Sequence, residues 1–134
     1  MLFRSSLSSA TYPVGFDYFA TGSANVTVAN QSFLPDTLNG NSGDDVLIGG
    51  SGYNEFVDLE SGADTFVGGA YENNFIAYGL NDVEVVQPGS ADTLQAVYNV
   101  TLAPYIDTLF LFGPNHYGVA NSDNDTLEIG RAHV

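Results

Sequence analysis

The sequence predicts an all-β chain assembled from short stacked strands, and three observations carry that expectation. The 134 residues hold 15 Gly and 13% aromatics, a composition of many turns joined by brief strands, without the Leu/Ala/Lys/Glu periodicity of helices. A nine-residue register of glycine, acid and apolar positions runs through the middle of the chain. The charge is one-sided: 16 Asp and Glu stand against 2 Lys and Arg, a formal net charge of −14. Such a surface repels phosphate backbones and anionic lipid, which argues against nucleic acid and electrostatic membrane docking and in favour of small cations.

Cysteine is absent and only two His are present, so disulfide frameworks and thiolate metal sites are excluded and zinc chemistry is disfavoured. No apolar run approaches the ~20 residues that span a bilayer as a helix. At the N-terminus, Leu2-Phe3-Arg4-Ser5 resembles the translated end of an adapter used in DNA sequencing. Ile129-Gly130-Arg131-Ala132-His133-Val134 resembles the start of the partner adapter. Residues 1–5 and 128–134 are therefore expected to be adapter-derived, and the rest a fragment of a longer protein. Both Arg lie in those segments, which leaves residues 6–127 without Lys or Arg.

Taken in order, residues 6–35 read as an N-terminal flank of strand and coil, rich in Ser and Thr, whose first part has no assignable partner. The repeats occupy residues 36–94. Residues 40–48 read Gly-Asn-Ser-Gly-Asp-Asp-Val-Leu-Ile and residues 49–57 read Gly-Gly-Ser-Gly-Tyr-Asn-Glu-Phe-Val, both fitting G-G-x-G-x-D-x-U-x with U a large apolar residue. After one extra residue, Asp58, residues 59–67 keep the second half of the pattern and residues 68–76 keep most of it. Glycine is expected to supply positive φ and close approach of neighbouring coils. The x-U-x stretch is a short strand with U pointing inward. Leu38, Leu47, Phe56, Phe66, Phe75 and Leu94 then form an internal stack. Each coil is too thin to bury its apolar face alone, so stability grows with the number of coils.

Two nonapeptides close one coil, so position-six residues fall alternately on two edges. One column holds Asp45, Asp64 and Asp82, all carboxylate. The other holds Asp36, Asn54, Asn73 and Asp92. At the ~4.7–4.9 Å strand spacing, adjacent carboxylates repel by about 1 kcal/mol in a watery setting and about 3 at an effective dielectric near 20. A hard cation that accepts six to eight oxygens, calcium, relieves that repulsion.

Over about residues 36–76 these units resemble the repeats-in-toxin (RTX, hemolysin-type) family of calcium-binding nonapeptide repeats. The resemblance implies a parallel β-roll or β-solenoid, with calcium held by turn carbonyls and position-six carboxylates. Carried onto this chain, the metal-holding residues are Gly40, Gly43, Asp45, Gly62, Asp64 and Asp82 on one edge and Asp36, Gly52 and Asn54 on the other. The best site lies between the loops 40–45 and 59–64. Leu80, standing where the pattern wants Gly, predicts weaker or absent metal at Asp82, and Tyr71 does the same before Asn73. Asp44, Glu55, Asp58, Glu60 and Glu72 fall at variable positions and are expected to be solvated surface. The resemblance further implies a segment of a larger secreted bacterial toxin, protease, lipase or adhesin. It would be exported through a one-step channel, unfolded in low cytosolic calcium, and would fold outside against adjacent repeats of its parent.

Residues 95–127 read as degenerate spacer strands, with Pro104 marking a break. Asp107-Thr108-Leu109 and Asp125-Thr126-Leu127 echo Asp36-Thr37-Leu38, Asp64-Thr65-Phe66 and Asp92-Thr93-Leu94. No His-Glu-x-x-His and no nucleophile turn is present, so no enzyme is expected. The alternative reading is a calcium-independent structural or adhesive solenoid. In it, Asp and Asn cap turns by hydrogen bonds alone, and Tyr53, Tyr71, Tyr78 or Tyr117 contact glycans.

Overall fold

A computed structural model describes residues 6–8, 15, 17–30, 32–122 and 124–130. Residues 2–5 and 131–134, with both Arg and His133, lie outside the described residues. All described regular structure is strand: β1 (Ser6–Ser8), β2 (Asp17–Phe19), β3 (Thr27–Ala29), β4 (Asp36–Asn39), β5 (Val46–Ile48), β6 (Asn54–Asp58), β7 (Thr65–Val67), β8 (Asn73–Ala77), β9 (Val83–Val85), β10 (Asp92–Ala96), β11 (Val100–Thr101), β12 (Ile106–Leu111), β13 (Gly118–Val119) and β14 (Thr126–Ile129). No helix among the described residues is long and apolar enough to cross a membrane.

Strands alternate between faces. The odd strands β1-β3-β5-β7-β9 form one parallel sheet, the even strands β2 to β14 a second in sequence order, and β11-β13 a short third. Each coil thus contributes one strand to either side, and the molecule is a parallel β-solenoid. The flank 6–35 supplies β1, β2 and β3, which continue both sheets. The odd sheet ends at β9 and that side resumes as β11-β13. From β10 to β12 the coil shortens, Thr93 pairing with Thr108, with a register shift between Asp92 and Thr93.

Within a strand, side chains alternate inward and outward, and the register fixes two inward columns. Leu38 faces Phe56, Phe56 faces Phe75, Phe75 faces Leu94, and Leu94 faces Leu109 along the even sheet. Val28, Leu47 and Phe66 align along the odd sheet, followed by Glu84. All six residues expected to form the internal stack are fully buried. Phe56 stacks on Phe75 at 5.0 Å between ring centroids, with Phe66 tilted against both at 5.8 and 6.2 Å.

Of the two needs expected of the repeat glycines, close approach of the coils is met and positive φ is not. Positive φ occurs at Gly22, Gly89 and Gly113 among the described glycines, none of them in the nonapeptide turns. What those turns require is absence of a Cβ. A methyl on Gly69 would land on the carbonyl oxygen of Gly50 in the coil before, and one on Gly62 would sit 2.5 Å from the Gly43 oxygen. Backbones of successive turns touch directly because strand spacing forces them to. Gly69→Ala is expected to open this contact and cost about 1–3 kcal/mol, the range for an overpacked core site. Urea unfolding checks it, and a loss below about 0.5 kcal/mol would contradict the geometry.

Candidate metal centre

The turns that lead from even to odd strands stack on one edge, and position six of each immediately precedes the next strand. Asp45, Asp64 and Asp82 therefore line up, as the spacing predicts. Each uses one oxygen on the coil before it: Asp45 Oδ1 accepts the Val26 N–H at 2.8 Å, Asp64 Oδ1 accepts that of Asp45 at 2.6 Å, and Asp82 Oδ1 accepts that of Asp64 at 3.2 Å. Their second oxygens differ. Asp45 Oδ2 caps its own turn on the Asn41 N–H at 2.7 Å, whereas Asp64 Oδ2 and Asp82 Oδ2 are buried without a hydrogen-bond partner. The glycines leave room beside these groups, since a Cβ on Gly40 would stand 3.1 Å from Asp45 Oδ2 and one on Gly79 2.5 Å from Asp82 Oδ2.

Asp58 departs from the expected solvated surface: it is fully buried. Counting by twos from Phe56 at the end of β6 turns it inward, beside Ala77 of the next coil. Its Oδ1 accepts the Glu60 N–H at 3.1 Å, and its Oδ2 has no partner. One ligand oxygen from each of Asp58, Asp64 and Asp82 lies within 4.8 Å of the other two. Asp44, Glu60 and Glu72 are exposed as expected, and Glu55 faces outward half-buried.

Burial first, then the mutual charges, raises the carboxyls of Asp58 and Asp82 above the ordinary range and pushes Asp64 up to about 7. Glu84, two residues beyond Asp82, occupies the inward position in register with Phe66. Its Oε1 is buried without a partner, and burial followed by the charge of Asp82 pushes it up to about 7. Burial and then the charges of Glu84, Asp82 and Asp58 raise the Tyr98 phenol as well. No Lys or Arg exists among the described residues to offset this charge. Buried carboxylates in that state either take up a proton or bind a cation.

The opposite edge is self-sufficient. Asn54 Oδ1 accepts the Gly50 N–H at 2.8 Å, while Nδ2 donates to the carbonyls of Gly52 and Gly50 at 2.8 and 3.0 Å and to Asn73 Oδ1 at 3.0 Å. Asn73 repeats this, donating to the carbonyls of Tyr71 and Gly69 and to Asp92 Oδ1. Asp92 also accepts from Ser90 Oγ at 2.7 Å. Asp36 accepts from Asn30 Nδ2. At Gly52 and Asn54, named above as metal-holding, an amide nitrogen thus stands among the turn carbonyls and supplies the donors itself.

The residues present fit a hard cation on the Asp edge, where buried oxygens lack partners, and not at the amide-filled turns of Asn54 and Asn73. The sequence reading missed Asp58 and Glu84. Both carry a signal in the phase of the repeat, one as the residue inserted after a unit and the other at the U position two after Asp82. Of the tyrosines, Tyr71, Tyr78 and Tyr117 are exposed and Tyr53 is half-buried. Residues 35–56 match the profile of the RTX calcium-binding nonapeptide repeat (4 copies). No curated protein and no solved structure gives a significant match. Register, solenoid and profile converge: residues 35–56 carry the RTX calcium-binding nonapeptide repeat, within an all-strand parallel β-solenoid consistent with an RTX β-roll.

Proposed function

We propose that the chain is a non-enzymatic, calcium-stabilised structural segment of a larger secreted bacterial protein, folding outside the cell where calcium is plentiful. The observation that supports this most is the contrast between the two edges. Asn54 and Asn73 fill their turns with amide donors, whereas Asp64 and Asp82 leave buried oxygens bare. Asp45, Asp64 and Asp82, with the carbonyls of Gly40, Gly43 and Gly62, are the residues that would hold calcium. When bound, the ion supplies positive charge and oxygen coordination shared between successive turns. The chain's own contribution is the Oδ1 ladder, which fixes each carboxylate against the backbone of the previous coil. Binding energy then becomes folding energy.

Circular dichroism and thermal melts in calcium and in chelator test this reading. Saturation at about 100 times Kd adds about 2.7 kcal/mol per site, a rise in melting temperature of roughly 10 °C for a domain of this size. Identical spectra and melting temperatures in chelator would favour the calcium-independent solenoid, for which the satisfied Asn edge is the supporting feature.

A further inference from the structure

We propose that Asp58, a residue outside the nonapeptide motif, joins Asp64 and Asp82 as the third carboxylate of a calcium site at the inner corner of the coil. The inference rests on the calcium reading above and adds a ligand that the repeat pattern does not encode.

Three observations carry it. First, Asp58 and Asp64 are both fully buried, and their Oδ2 atoms, like that of Asp82, receive no hydrogen bond from any N–H or hydroxyl, and the Asp58 and Asp64 carboxyls face each other. An isolated buried carboxylate is costly unless paired or bound to metal, and the described residues offer no Lys or Arg. Second, the three ligand oxygens lie within 4.8 Å of one another. Calcium–oxygen distances of 2.3–2.6 Å allow two oxygens of one ion to stand up to about 5 Å apart, so one ion can bridge all three. Third, the remaining oxygen of each carboxylate is tied to a backbone N–H, of Glu60, Asp45 and Asp64 respectively. The set is therefore held in place before any ion arrives.

The location also explains why Leu80 does not spoil this corner. Its side chain is 76% exposed, and the turn there need contribute only the Asp82 carboxylate. In the next coils the column of Asp58 continues as Ala77 and Ala96, both fully buried. A small apolar residue is thus what the packing accepts at this place, and the carboxylate stands out as an addition to it.

Calcium titration calorimetry and melts on the full chain compare wild type with Asp58→Asn, Asp58→Ala and the exposed control Glu60→Gln. Asp58→Asn keeps an acceptor for the Glu60 N–H, and Asp58→Ala matches the neighbouring column, so the two preserve the fold by different routes. Expected is the loss of one ion, or at least a tenfold weaker affinity for one ion, in both Asp58 variants and not in Glu60→Gln. In chelator, Asp58→Ala is expected to melt above wild type, with a smaller gain on adding calcium. Unchanged stoichiometry and affinity in both variants would overturn the proposal while leaving calcium binding intact. Absence of calcium binding by wild type itself would instead remove the underlying reading.

Discussion

Phe56→Ala is expected to cost about 3–5 kcal/mol, the range for deleting a buried aromatic side chain, out of a total stability on the order of 5–15. Phe56 is fully buried, stacks on Phe75 at 5.0 Å and meets Phe66 at 5.8 Å. The loss should fall toward the upper end of that range. Collapse of the cavity would require the two sheets to approach, yet the parallel ladders β4-β6-β8 and β5-β7 hold the coil at fixed spacing. Leu127, 40% exposed on the last strand of the even sheet, provides the contrast, and Leu127→Ala should cost less than about 1 kcal/mol. Denaturant unfolding separates the two through the midpoint at constant slope. Equal losses at both sites would mean that the inward column does not carry the fold.

Those inward residues were legible because a nine-residue period fixes phase. Once Phe56 is assigned inward, Phe75 and Leu94 follow, and so does the alignment of Asp45, Asp64 and Asp82 on one edge. Legibility failed where the phase was broken or where one residue type has two uses. Asp58 looked like a spare acid between units, and only the length of β6 shows that alternation carries it inside. Asn54 and Asn73 occupy the position of a metal-binding Asp, but an amide brings donors as well as an acceptor and closes its own turn. The glycines were legible in their spacing and in the close approach of coils that they permit, while the left-handed φ also expected of them is absent from the nonapeptide turns. The flank 6–35 lacks the repeat text altogether, and its strands are set by pairing with β4 and β5, which no local pattern reveals.

Metal-free and calcium-bound forms are expected to respond to acid in opposite directions. Asp58, Asp64, Asp82, Glu84 and Asp92 all have carboxyls raised by burial, with Asp64 and Glu84 at about 7. The folded chain therefore holds protons that the unfolded chain has already released above ordinary carboxylate values. Without calcium, the stability these groups contribute is fully present below about pH 4 and is lost as pH rises through about 7. With calcium, protons compete with the ion for the same oxygens, so stability declines as pH falls. Glu84 isolates the first effect, because its inward position continues the column of Leu47 and Phe66. Glu84→Leu restores the apolar side chain that this column carries elsewhere. A displacement from 4.5 to about 7 corresponds to at most about 3 kcal/mol, so the metal-free variant should melt up to about 10 °C above wild type at pH 7.5. The difference should shrink toward pH 4.5, where Glu84 is protonated in the folded chain and already about half protonated in the unfolded one. Melting temperatures from pH 4.5 to 8 in chelator and in calcium decide the matter. Parallel slopes in the two conditions, or a Glu84→Leu chain less stable than wild type at pH 7.5 in chelator, would show that the buried carboxyls are not what calcium relieves.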